Sequence, residues 1–194
     1  MSTRRTTTGD ASSSAAASPA GERGQPRWLT ADERTAWVRL LAVTELLPGV
    51  LDSQLRRDAQ LTHFEYFVLA MLSEAPERTL RMNSLAGLTS ATLPRLSHVV
   101  RRLEERGLVE RVPCPQDKRV TNAVLTAAGL SAVEQAAPGH VTTVREKVLD
   151  ALTSEQVEQL RAITDALLPR LDPNRRLSKL YDPGHERPAA GRDS

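Results

Sequence analysis

The chain has 194 residues, a formal net charge of +2, 40% apolar residues, 3% aromatics and one cysteine. That length suits one domain with its own core, the aromatic-poor apolar content points to a mostly helical fold built on Leu, Val and Ala, and a lone cysteine excludes an internal disulfide framework. No segment approaches the roughly 20 apolar residues of a membrane span and no secretory signal is legible, so a soluble cytoplasmic protein without membrane contact is expected.

Residues 1–27 are polar and low in complexity and read as a disordered tail, as do residues 182–194. Between them, apolar positions recur at helical spacing. The first segment, about 30–58, carries Trp37, Leu40, Leu41, Thr44, Leu47, Leu51 and Leu55 on one stripe, with a bend expected at Pro48 and Gly49. The second starts at Thr62, which forms a capping box with Glu65, and Phe64, Phe67, Val68, Met71 and Leu72 are its expected buried face. A short helix over Met82 to Leu88 follows.

In the fourth segment Thr92 suits an N-cap, Pro94 falls in the first turn where its missing N–H is harmless, and Leu96, Val100 and Leu103 form an apolar stripe that ends at Gly107. Leu108 to Val112 and Val120 to Leu125 are then two strand-like runs joined by a tip rich in proline and charge. Thr126 opens a long helix, expected to carry Leu130, Val133, Val141, Val144, Val148 and Leu149 with a kink at Pro138 and Gly139. Thr153 and Gln156 form a second capping box before a last amphipathic helix containing Val157, Leu160, Ile163, Leu167, Leu168 and Leu171.

Three short helices followed by a hairpin is the order of a winged helix-turn-helix, in which the third helix enters the DNA major groove and the hairpin tip reaches the neighbouring backbone or minor groove. A helix over Leu93 to Arg106 is about 21 Å long and about 10 Å wide, against a groove about 12 Å wide. With its apolar stripe inward, Pro94, Arg95, Ser97, His98, Arg101 and Arg102 face out. Arg95 and His98 suit base edges; Arg101 and Arg102, further along, suit phosphates, and Ser90 and Thr92 near the helix N-terminus suit another. At the tip, Asp117 is placed to brace a minor-groove arginine, with Lys118 and Arg119 as the cations. Charge agrees: Arg78 to Arg119 holds nine Lys or Arg and four acids, a balance of +5 against −3 elsewhere.

The stretch Leu61 to Gly129 resembles the MarR family of bacterial transcription regulators, most specifically in Ser84-Leu85-Ala86, in the run from Leu93 to Arg111, in Asp117-Lys118-Arg119 and in Leu125-Thr126-Ala127-Ala128-Gly129. With the flanking helices the likeness covers about residues 30–172. It implies a mostly α (α+β) fold in one domain over 28–172, with the winged helix-turn-helix at about 60–126 and dimerisation helices at about 30–58 and 127–172. It further implies a homodimer reading a pseudo-palindromic operator in double-stranded DNA. Arg95, Ser97 and His98 match recognition-helix contacts, and Arg119 matches the wing arginine. Members usually repress transcription and are often released by small phenolic or other aromatic effectors. One departure is Ser90, where a glycine is common in the turn before the recognition helix. The apolar stripes of the terminal helices independently favour a dimer.

No HExxH, paired-cysteine, glycine-rich phosphate loop or G-x-S-x-G pattern occurs, and His63, His98, His140 and His185 are scattered, so no metal, cofactor or enzymatic activity is expected. The alternative, a winged helix that binds another protein, calls for an apolar outward face where this sequence has Arg and His. Cys114, expected to be exposed between Pro113 and Pro115 near Arg111 and Lys118, reads either as a redox-sensitive thiol or as an incidental turn residue. Trp37, His63, Phe64 and Phe67 suit either an effector pocket or plain core.

Overall fold

The computed structural model describes residues 26–115, 117–174 and 177. The expected tails lie outside them, apart from Pro26 and Arg27, and so does His185. The order of elements is α1 (Ala31–Ala59), α2 (His63–Ser73), β1 (Thr79–Arg81), α3 (Met82–Leu88), α4 (Leu93–Glu105), β2 (Val109–Pro113), β3 (Thr121–Leu125), α5 (Ala127–Lys147) and α6 (Ser154–Leu171). Single 3-10 turns stand at Pro76–Arg78 and Leu149–Ala151. The fold is mostly helical with one small antiparallel sheet, a winged helix-turn-helix. No helix among the described residues is long and apolar enough to cross a membrane.

By its contacts the chain divides into residues 1–40 and 41–194. In the first unit Thr30 and Glu33 form a capping box at the start of α1, and Trp28, Leu29, Trp37, Val38 and Leu40 are exposed. In the second unit, α1 runs through Pro48 and Gly49 as one helix and buries only its C-terminal end, at Leu51, Gln54 and Leu55.

The core of the second unit joins Leu55, Leu61, Val68, Leu69, Leu72, Leu85, Leu96, Val100, Leu103, Val109 and Ala123. Helix α2 starts as expected, with Thr62 and Glu65 bonded reciprocally at 3.0 and 2.8 Å. Its buried face is different: Glu65, Tyr66, Val68, Leu69 and Leu72 are buried, while Phe64, Phe67 and Met71 are half-buried. The run 65/68/69/72 is the i, i+3, i+4, i+7 stripe of a helix. Helix α3 spans Met82–Leu88 as expected and buries Met82, Leu85 and Leu88.

Strand β1 has no counterpart in the sequence reading. It pairs antiparallel with β3, placing Leu80 opposite Ala123, and gives a sheet of order β1-β3-β2. Helix α5 ends at Lys147, short of the expected Val148 and Leu149, because Val148 leaves helical geometry (φ −130°, ψ −64°) and Leu149 enters a 3-10 turn. The second capping box, Thr153 with Gln156, is present at the start of α6.

Two close approaches hold α5 to the hairpin base. The Thr126 hydroxyl donates to the Gly107 carbonyl at 2.8 Å and accepts from the Gly129 N–H at 2.9 Å. At Gly129 a Cβ would collide with the Leu108 carbonyl oxygen, so only glycine lets α5 lie against this turn.

Candidate nucleic-acid interface

Helix α4 begins at the expected place, with Thr92 as N-cap in extended geometry and Pro94 in the first turn. The Thr92 side chain makes no capping bond. Ser90, in the preceding turn, has φ 48°, a left-handed conformation that a non-glycine residue adopts only at a cost, which explains why glycine suits this position. At the other end Gly107 (φ 71°) and Leu108 donate to Glu104 and Leu103 carbonyls at 2.9 Å each, a Schellman ending that stops the helix where the sequence predicts.

Leu96, Val100 and Leu103 are fully buried, and this sets the phase of every other α4 side chain. At about 100° per residue, Pro94, His98 and Arg101 stand opposite the buried stripe. All three are exposed. The Arg101 guanidinium lies 3.3 Å from His98 Nδ1. A guanidinium only donates, so in this contact Nδ1 is the acceptor and Nε2 the ring's donor. Ser97 sits on the flank toward the hairpin, where it lines a cavity of about 270 Å³ together with Asn83, Arg111, Arg119 and Thr121.

The other flank faces α2. There the Arg95 guanidinium lies over the Phe64 ring, 4.4 Å from its centroid. Further along, Arg102 Nη2 is 3.3 Å and Arg106 Nη1 4.0 Å from the carboxylate of Glu65, which is 1% exposed. A buried carboxylate requires a counter-charge, and these two guanidinium groups supply it. Arg102, still half exposed, is therefore an ion-pair partner of Glu65 as well as a candidate phosphate contact, a structural role without a local sequence signal because Glu65 also serves as the α2 cap.

The hairpin carries the remaining candidates. Strands β2 and β3 pair from Val109 opposite Leu125 to Pro113 opposite Thr121. At the tip the Cys114 N–H donates to the Val120 carbonyl at 2.8 Å, and the Val120 N–H to the Asp117 carbonyl at 2.9 Å. The Asp117 carboxylate accepts from the Arg119 backbone N–H at 3.0 Å, so its bond braces the turn backbone at Arg119. Lys118 and Arg119 are exposed, and neither they nor Arg95 has a carboxylate within ion-pair distance among the described residues.

The expectation of an exposed Cys114 is corrected: the residue is 2% exposed, its N–H bonded to the Val120 carbonyl across the hairpin, while the flanking prolines are exposed. A thiol so enclosed lacks the access that a reactive cysteine needs.

The first turn of α2 is fastened on several sides. The His63 N–H donates to Asp52 at 2.9 Å, and the His63 ring stacks on His140 of α5 with centroids 6.3 Å apart. The Tyr66 ring lies 4.7 Å from the same imidazole. Burial pushes the His63 imidazole below its ordinary value, with the Asp52 charge opposing.

A MarR family profile matches residues 61–121. The fold is similar to that of Sco3205, a MarR family transcriptional regulator from Streptomyces coelicolor solved in complex with DNA, at a TM-score of 0.73 and 45% identity over 77% of this chain and 93% of that one. It is also similar to AbsC, a MarR family transcriptional regulator from Streptomyces coelicolor, at a TM-score of 0.72 and 36% identity over 76% of this chain and 99% of that one. The transcriptional repressor IacR of Pseudomonas putida is 30% identical over 106 residues, which span 54% of this chain and only 61% of that relative. The winged helix-turn-helix, the cationic face of α4 and the 45% identity to Sco3205 over 93% of that protein's length agree: the chain belongs to the MarR family of transcriptional regulators.

Proposed function

We propose that the protein is a cytoplasmic homodimer that binds a pseudo-palindromic operator in double-stranded DNA through α4 and the β2–β3 hairpin, and that it represses transcription until a small aromatic or phenolic effector releases it. The observation that carries the reading is the exposed face of α4. Pro94, Arg95, Ser97 and His98 occupy its first two turns, the part of a recognition helix that meets base edges, and Arg101 lies a turn further, where phosphates are met. His98 offers Nε2–H as a donor, suited to the acceptors of guanine or thymine in the major groove. Ser90 and Thr92 stand before the helix N-terminus, where a phosphate is favoured. Lys118 and Arg119 supply the hairpin's cations, and Asp117 holds their turn.

Two-fold symmetry is supported by α6, which has no fully buried residue yet carries Val157, Leu160, Ile163, Leu167 and Leu171 exposed at helical spacing. An apolar row of that length calls for a partner, and a second copy also supplies the second reading helix that a palindrome requires. The repressor function follows the relative IacR.

Titration of genomic duplex fragments retained by the protein, at graded salt, tests the reading. Binding that weakens with a slope near −0.9 per phosphate contact and that favours retained over random duplex is expected. Salt-independent binding, or equal affinity for both, contradicts it.

A further inference from the structure

We infer that Phe64 is a positioning residue for DNA recognition: it holds the Arg95 guanidinium by its flat face, leaving the N–H edge free to meet a base. The inference rests on the reading of Arg95 as a base contact. Its starting point is that Arg95, in the first turn of α4, has the Phe64 ring as its partner at 4.4 Å and no carboxylate within ion-pair distance among the described residues. A guanidinium that stacks on an aromatic ring does so through the face of its plane. Bidentate recognition of guanine uses the donors in that plane. The two interactions use different parts of one group and are compatible, so the stack restricts a long, flexible side chain without consuming its donors.

Phe64 is itself held in place. The residue before it bonds to Asp52 through its backbone N–H and stacks on His140. The residue after it, Glu65, is buried, closes the capping box with Thr62 and pairs with Arg102 of α4. The ring thus stands on a helix turn tied to α1, α5 and α4 at once, and its position relative to the recognition helix is set before DNA arrives. Pre-ordering of this kind lowers the entropy that binding must spend on a rotamer-rich side chain.

The test is a double-mutant cycle in the full-length protein, using the duplex most enriched by the wild type from a random library and a scrambled duplex of equal length. Arg95→Ala is expected to lower the ratio of the two affinities about tenfold. Phe64→Leu lowers it about threefold, Phe64→Tyr restores it, and Phe64→Leu added to Arg95→Ala changes it no further. An equal loss from Phe64→Leu in both backgrounds overturns the inference, since the ring then acts through packing alone. If Arg95→Ala leaves the ratio unchanged, it is the base-contact reading of Arg95 that fails, and the inference goes with it. A wild-type measurement stands beside the cycle if Phe64→Leu does not fold. The Arg95 Cδ protons should show an upfield ring-current shift in NMR spectra of the free protein and keep it in the complex; loss of that shift on DNA binding contradicts the inference.

Discussion

Glu104, in the last turn of α4, grips Arg111 of β2 twice, accepting the backbone N–H at 3.2 Å and the guanidinium Nε at 2.8 Å. One carboxylate thereby fixes the hairpin strand relative to α4. The Arg111 guanidinium, first by its hydrogen bond, holds Glu104 below the usual carboxylate range. Its contribution is therefore present above the ordinary glutamate value and lost as pH falls through the depressed one. Glu104→Gln should cost up to about 1 kcal/mol at neutral pH, as a well-formed exposed pair does. The gap between variant and wild type, measured by urea unfolding, should close as the solution is acidified; a gap that stays constant into the acid range contradicts the assignment.

Neighbouring arginines on α4 should separate cleanly. Arg101 stands on the outward face, whereas Arg102 neutralises buried Glu65. Arg101→Ala is expected to leave stability within about 0.5 kcal/mol and to reduce the salt slope of DNA binding by about one. Arg102→Ala should leave the slope unchanged and destabilise by about 1 to 3 kcal/mol, since the ion pair within 3.3 Å of the buried carboxylate is lost and Arg106, at 4.0 Å, remains. Thermal unfolding and salt titration of the two variants decide this; the reverse pattern would restore Arg102 as a phosphate contact.

These two arginines also mark the limit of what the sequence discloses. The phase of α4 was readable because Leu96, Val100 and Leu103 repeat at helical spacing and Gly107 ends them. The partner of Arg102 was not, because a pairing across 37 positions leaves no local trace and Glu65 already had a role as cap. The same acid hides the true face of α2: a carboxylate at the head of the buried stripe breaks its apolar pattern and shifts the apparent face to Phe64, Phe67 and Met71. Strand β1 is three residues long, too short for alternation to register, and owes its existence to β3. The flanking prolines of Cys114 imply an exposed turn, whereas its N–H continues the hairpin pairing to the Val120 carbonyl and its side chain is buried.

His63 predicts a pH dependence of opposite chemistry to Glu104. Burial depresses its imidazole, so the unfolded chain binds a proton more readily than the folded one. Stability should then be full above the free-histidine value and fall as pH drops from there through the folded one. His63→Phe, which keeps a flat ring beside His140, should flatten that fall in urea-unfolding series taken between neutral and mildly acidic pH. Identical slopes for both proteins would remove His63 from the account.

The row on α6 predicts an assembly defect. Ile163 is 56% exposed and lies in the middle of that row. Ile163→Glu should yield a folded monomer in sedimentation equilibrium, with helical signal retained and operator affinity lost, because a charge inside an apolar interface opposes association. A variant that remains dimeric contradicts this face as the interface.

The central claim, that the first two turns of α4 read base pairs, is tested most directly by base-preference profiles from a random duplex library for the wild type, His98→Ala and Arg119→Ala. Base reading by these turns predicts a two-fold symmetric wild-type profile, loss of preference at one symmetric pair of positions in His98→Ala, and an unchanged profile with uniformly weaker binding in Arg119→Ala. A His98→Ala profile identical to the wild type at every position would contradict it.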